Sequence, residues 1–232
     1  MKFAIIAAGE GSRLAMEGIE EPKPLIKIQG VPIIERLVKI FAKNSTSSIS
    51  IIINTRQPET KAYLEQLREH YPIEIVVRDT PSSMHSMHAL KEHLAGDKFC
   101  LTTVDTIFKE KEFTEFIEIF KRSEDDGIMA VTDYVDDEKP LYVDTGTDMN
   151  ITAFCDNASD GSKYISGGIY ALTPRALEIL DECMEQGIER MRNFQRKLIE
   201  GGLRLKAYPF GKIIDIDHAR DIAKAEKFIT EE

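Results

Sequence analysis

Cysteine is scarce in this chain of 232 residues: Cys100, Cys155 and Cys183 are far apart and form no Cys-x-x-Cys pair. An odd number leaves one thiol over in any pairing scheme, so a disulfide scaffold is excluded and reduced thiols in a cytoplasm are expected. Long apolar runs are missing too, with none near the roughly 20 residues that a membrane span needs. Met1 leads straight into an apolar stretch without a signal-like leader, so a soluble cytoplasmic protein is expected. Basic charge is in deficit, the formal net charge being −10. That balance argues against a sequence-independent grip on nucleic acid or on an anionic membrane, so any phosphate site must be local. Repeats, low-complexity linkers and breaks in composition are absent, and a single domain over 1–232 is expected.

What is present is a regular alternation of short apolar runs and amphipathic stretches. Strands are expected at 2–8, 49–54, 73–77 and 99–104, with helices at 31–43, 59–70 and 84–94 between them. In 31–43 the residues Ile33, Ile34, Leu37, Val38 and Phe41 recur at helical spacing, whereas Phe99–Val104 is a continuous run suited to a strand buried on both faces. The second half reads as helix 111–122, strand 128–134, strand 165–172, helices 174–183 and 187–200, strands 203–208 and 212–216, and a last helix from His218. Between Asp136 and Ser162 helical period is lost; weak alternation at 141–144 and 150–155 predicts a β-ribbon or loop over the substrate side. The expected fold is α/β: a three-layer, Rossmann-like, mostly parallel sheet with helices on both faces and a small β insertion.

The most informative stretch is Ile5-Ile6-Ala7-Ala8-Gly9-Glu10-Gly11-Ser12-Arg13-Leu14, followed by Glu21-Pro22-Lys23-Pro24-Leu25. Small residues after a strand let backbone N–H groups approach an anion closely, and Arg13 and Lys23 add fixed positive charge. A lone Gly-x-Gly after a strand otherwise marks only a turn. Asp105 stands where the strand 99–104 ends, at the carboxyl edge where open α/β sheets bind ligands; it is a candidate metal ligand, or a cap on the next element. Asp215 and Asp217, two apart in an extended segment, share a face and could address one ion, unless Asp217 caps the helix that follows. Ser82 and Ser83 offer hydroxyls to a base edge or to a helix cap. Gly167 and Gly168 either admit a close ligand or mark a bulge, and Lys163 either meets an acceptor phosphate or is solvated. His85, His88 and His93 do not form a metal arrangement, since His93 lies on a different helix face from His85 and no His-Glu-x-x-His is present.

The N-terminal pattern resembles that of the sugar-1-phosphate nucleotidyltransferases, Ala-Ala-Gly-x-Gly-Ser/Thr-Arg-Leu followed by Pro-Lys-Pro-Leu. The tail, Asp215-Ile216-Asp217 and Ala219–Glu226, is similar to the closing segment of the same family. The resemblance implies a GT-A-like fold and an Mg²⁺-dependent joining of an NMP from an NTP to a phosphorylated sugar or alcohol, with release of pyrophosphate. It also implies residue roles. Ala7, Ala8, Gly9, Gly11 and Ser12 would wrap the nucleotide phosphates, Arg13 would hold the leaving pyrophosphate and Lys23 would contact the α-phosphate. Ser82 and Ser83 would lie at the base, Gly167 and Gly168 at the acceptor, and Asp105 with Asp215 or Asp217 at the metal. Family members commonly carry Pro-Leu-Gly-Thr-Ala-Gly where this chain reads Thr80-Pro81-Ser82-Ser83-Met84-His85-Ser86. In this it is more similar to the branch that makes phosphocholine and inositol-phosphate cytidylates, which favours CTP or UTP. The missing glycines also leave a non-catalytic nucleotide sensor as an alternative. An NAD-dependent oxidoreductase is more remote, because Leu14 replaces the third glycine and no acid ends the second strand at Asn54.

Overall fold

The computed structural model describes residues 1–136, 138–159 and 162–230. Asp137, Asp160 and Gly161, all within the expected ribbon region, and Glu231 and Glu232 lie outside the described residues. The first half runs β1 Lys2–Ala7, α1 Ser12–Met16, β2 Lys27–Ile28, β3 Val31–Pro32, α2 Ile33–Lys43, β4 Ile49–Ile53, α3 Pro58–Arg68, β5 Ile73–Val77, α4 Ser83–Ala89, α5 Lys91–Leu94 and β6 Phe99–Thr103. The second runs β7 Thr106–Ile107, α6 Glu110–Arg122, β8 Gly127–Thr132, β9 Tyr142–Thr145, β10 Ile151–Cys155, β11 Tyr164–Leu172, α7 Arg175–Glu185, α8 Met191–Glu200, β12 Leu205–Phe210, β13 Ile214–Asp215 and α9 Ala219–Thr230.

Strands β5, β4, β1 and β6 pair in parallel, β11 joins antiparallel to β6, and β8 and β12 continue beyond β11 as a further parallel pair. Side chains alternate between the faces, as a period of two requires. Phe3, Ile5, Ile49, Ile51 and Cys100 point into one hydrophobic cluster, with α2, α6 and α9. Ala4, Ile6, Ile52, Phe99 and Leu101 point into the other, with α4, α7 and α8. These are the three expected layers. In the first cluster Phe41 stacks on Phe3 at 4.6 Å and on Phe113 at 5.3 Å, which ties β1 to α2 and α6. Among the described residues no helix is long and apolar enough to cross a membrane.

Several expectations change in detail. The expected β insertion is the ribbon β9–β10, and it also extends the main sheet, through Tyr164↔Val143 and Ile165↔Tyr142. The helix expected at 84–94 is interrupted at Leu90, where α4 gives way to α5. The helix expected from Gly187 begins only at Met191, because Gly187 and Arg190 hold φ of 64° and 71°, which an α-helix does not accept.

One surface pair carries a pH dependence. Tyr63 on α3 donates a hydrogen bond to Glu35 on α2, and burial together with that bond pushes the phenol up to about 12. A folded value above the ordinary one of 10 stabilises the fold below pH 10 and is lost as pH rises toward 12. The melting temperature should therefore fall over that window, and Tyr63→Phe should flatten part of the fall. An unchanged slope would remove this pair as its source.

Candidate active site

Three separate parts of the chain meet where β1 and β6 end. A turn of 3-10 helix at Lys23–Leu25, between Pro22 and Ile26, aims the Lys23 ammonium inward. The Asp105 backbone C=O accepts the Ile216 N–H at 3.1 Å, and the adjoining antiparallel pair Asp215↔Thr106 brings Asp217 beside Asp105. Lys23 Nζ then donates to Asp105 Oδ2 at 2.5 Å and to Asp217 Oδ1 at 2.9 Å. Arg13 holds the other oxygen of Asp217 at 3.0 Å. Burial pulls the Lys23 ammonium toward losing its proton, but the two carboxylates outweigh it and hold the pKa above the ordinary lysine value. Burial likewise works against the Asp105 charge, and Lys23 overcomes it, so the carboxyl stays below the usual range. Asp217 does not cap α9; Asp221 does, its Oδ2 accepting the N–H groups of Asp217 and His218. The Asp217 carboxylate is thereby left for Lys23 and Arg13.

A cavity of about 520 Å³ opens over this cluster, lined by Ala7, Ala8, Gly9, Gly11, Ser12, Arg13, Lys23, Ser82, Ser83, Asp105 and Asp217 among others. Gly11 holds φ +64°, the left-handed conformation that a glycine adopts without strain, and Gly9 has open space where a side chain would be. Two buried side chains that sequence reasoning missed grip this loop from behind. Asn54 Nδ2 donates to the carbonyl of Ala8 at 3.1 Å, and Gln57 Nε2 donates to that of Gly9 at 3.2 Å. The available signal was a polar residue directly after the fully buried strand β4.

At the far side of the cavity Ser82 occupies the N-cap of α4, yet its hydroxyl does not cap a backbone N–H. It pairs instead with His85 Nδ1 at 2.8 Å. Thr80 and Ser86, not singled out by the sequence, also line the cavity and share a hydrogen bond of 2.6 Å between their hydroxyls. The other two histidines take separate partners, His88 on Asp181 and His93 on Glu74.

The model of the MobA-like NTP transferase domain matches residues 3–198. The chain belongs to this family. A bifunctional IPC transferase and DIPP synthase of Thermococcus kodakarensis is 30% identical over 148 residues, which cover 62% of this chain and 30% of that protein. The chain spans about a third to a half of the curated relatives it matches. Among solved structures, the inositol-1-phosphate CTP transferase from T. maritima superposes with a TM-score of 0.80 at 17% identity, covering 99% of this chain and 96% of that one. The CTP:phosphocholine cytidylyltransferase of Streptococcus pneumoniae gives 0.78 at 20% identity, covering 98% of each. These two likenesses establish the nucleotidyltransferase fold.

The MobA-like family match ends before Asp215 and Asp217, whose placement comes from the structure alone. Asp215 does not line the main cavity; it faces a smaller one of about 50 Å³, shared with Arg13, Gly167 and Asp217. Asp217 touches both Lys23 and Arg13. Lys163 lies with its ammonium 5.0 Å from the ring centroid of Tyr164.

The two glycines of β11 sit at a register shift between Ser166 and Tyr170, a bulge, and Gly167 also lines the smaller cavity. Gly168 holds φ +73°, and a Cβ on Gly167 would stand 2.3 Å from Ile213 Cδ1. Gly167→Ala should therefore cost about 1–3 kcal/mol. Adding Ile213→Val, which deletes that Cδ1 atom, should restore most of it in denaturant melts. No rescue would move the clash to the Ala130 carbonyl, 3.2 Å from the same Cβ.

The donor set suits a hard divalent cation. Oδ1 of Asp105 is buried with no hydrogen-bond partner, an arrangement that costs stability unless something fills it. Both carboxylates reach one nitrogen, and two carboxylates plus phosphate oxygens and water are what Mg²⁺ usually takes. Among the described residues no group of three or more His, Cys, Asp or Glu forms a ready-made cage.

Proposed function

We propose that the chain is an Mg²⁺-dependent nucleotidyltransferase, acting as one catalytic domain in the cytoplasm. It joins the NMP of an NTP, CTP or UTP, to a phosphorylated sugar or alcohol and releases pyrophosphate. The observation that carries this reading is the single cavity in which a glycine loop, Arg13 and Lys23 face Asp105 and Asp217. An oxygen of the acceptor phosphate attacks the α-phosphorus and the α–β anhydride bond breaks, so no protein atom need bond to the substrate. The work left to the chain is positioning and charge.

Backbone N–H groups of Gly9, Glu10 and Gly11 bind the triphosphate. Arg13 balances the charge that builds on the leaving pyrophosphate, and Lys23, kept protonated by its neighbours, does so at the α-phosphate. Asp105 and Asp217 would hold Mg²⁺, which when bound neutralises phosphate oxygens. Ser82, Ser83 and the Thr80–Ser86 pair meet the base. The acceptor enters beside Gly167. The activities for which two of the solved relatives are named, inositol-1-phosphate CTP transferase and CTP:phosphocholine cytidylyltransferase, support a pyrimidine nucleotide and an alcohol phosphate.

The test is pyrophosphate release with each of the four NTPs, Mg²⁺, and a panel of inositol phosphate, phosphocholine and hexose 1-phosphates. Turnover with CTP or UTP and one panel member supports the proposal. Tight NTP binding with no turnover on any acceptor would favour a nucleotide sensor, the alternative motivated by the lack of glycine in Ser82–Ser86. Absence of both binding and turnover would falsify the reading.

A further inference from the structure

We propose that Asn54 and Gln57 are positioning residues for the phosphate loop: they hold its carbonyls back so that its N–H groups are presented to the triphosphate. The inference rests on the functional reading above and deepens it. Both side chains are more than nine-tenths buried and lie beyond β4, across the loop from the main cavity. Asn54 Nδ2 reaches the Ala8 carbonyl at 3.1 Å and the Gly9 carbonyl at 3.5 Å, and Gln57 Nε2 reaches the Gly9 carbonyl at 3.2 Å. Asn54 is itself fixed, since its Oδ1 accepts the Arg56 N–H at 2.9 Å. Gln57 is fixed through its backbone, as the residue that precedes α3 and accepts the Lys61 N–H at 3.0 Å.

The consequence follows from the planarity of the peptide unit. In a trans peptide the C=O and the next N–H point in opposite directions. Anchoring the carbonyls of Ala8 and Gly9 toward Asn54 and Gln57 therefore turns the N–H groups of Gly9 and Glu10 the other way. Both residues line the main cavity, which Asn54 and Gln57 do not touch; those two line a second cavity of about 330 Å³ behind the loop. Among the described residues no protein acceptor takes the N–H of Gly9, Glu10 or Gly11. A glycine loop is otherwise free to turn its peptides over, which would point carbonyl oxygens at an anion. Two amide donors behind it remove that freedom. Gln57 also keeps its Oε1 buried without a partner, a cost borne while Nε2 stays on the Gly9 carbonyl.

The experiment compares the 232-residue chain with Gln57→Met, Asn54→Ala and the double variant. Binding of CTP with Mg²⁺, and of inorganic pyrophosphate, is measured by calorimetry at a temperature well below unfolding, beside melting temperature and hydrogen exchange in residues 5–14. Gln57→Met removes the donor and the unpartnered acceptor together, so its melting temperature should stay close to that of the parent. CTP and pyrophosphate should bind it about fivefold more weakly, the double variant should lose 20-fold or more, and exchange in the loop should quicken. KM should rise more than kcat falls. A purely structural role would lower melting temperature and leave these constants alone. If Gln57→Met and the double variant, each folded at the assay temperature, bind both probes within twofold of the parent, the positioning role is wrong. If the double variant does not fold, Gln57→Met alone decides. If the parent chain binds neither probe, the functional reading fails and takes this inference with it, a result distinct from parent and variants binding alike.

Discussion

Lys23→Ala is expected to lower kcat/KM for pyrophosphate release by a hundredfold or more while making the chain bind Mg²⁺ more tightly, on the order of tenfold. The two effects run in opposite directions because one ammonium has two occupations. It neutralises Asp105 and Asp217 from 2.5 and 2.9 Å, with only 11% of its side chain exposed. A cation seeking those carboxylates must compete with it. Removing the lysine frees both acids but also deletes the charge that the proposal places against the α-phosphate. Loss of activity alone would fit many roles for Lys23. Tighter binding in a calorimetric Mg²⁺ titration fits only a shared pair of carboxylates. Full activity in Lys23→Ala, or weaker Mg²⁺ binding, would sink the arrangement.

Asp105→Asn carries the second large effect. The amide is nearly the same size, so packing is preserved, but the buried Lys23 then keeps one charged partner instead of two. Stability should fall by about 2 kcal/mol, less than for a fully buried pair because the Asp105 side chain is 21% exposed. The catalytic loss should again be a hundredfold or more, and Mg²⁺ should cease to raise the melting temperature. Asp217→Asn should behave alike, whereas Asp215→Asn, which alters a residue outside the main cavity, should cost less than tenfold. A larger loss for Asp215 than for Asp217 would reverse the assignment within the tail.

How much of this was legible in the sequence depended on what kind of interaction placed each residue. Strands such as Ile49–Ile53, buried along their whole length, announce themselves as apolar runs broken only by Ser50, and α2 shows its period in Ile33, Ile34, Leu37, Val38 and Phe41. The five residues of α1 are too few to show a period, and β7 and β13, of two residues each, show none. Yet β7 and β13 carry Asp217 to Asp105. The sequence offered Asp215 and Asp217 equally and could not rank them, because the choice is made by pairing with Thr106, more than a hundred residues earlier. It also could not reveal that Asp221 takes over the cap. Asn54 and Gln57 escaped notice for a related reason: their partners are backbone carbonyls, which any sequence would supply.

Lys23 and Asp217 are 194 positions apart, so the cluster joins the glycine-loop region to the segment that leads into α9. During synthesis the glycine loop and its lysine emerge well before Asp217 is made. A nascent or clipped polypeptide that stopped short of Asp217 would own the anion cradle without the second acid, and competence for chemistry would serve as a readout that synthesis had passed that residue.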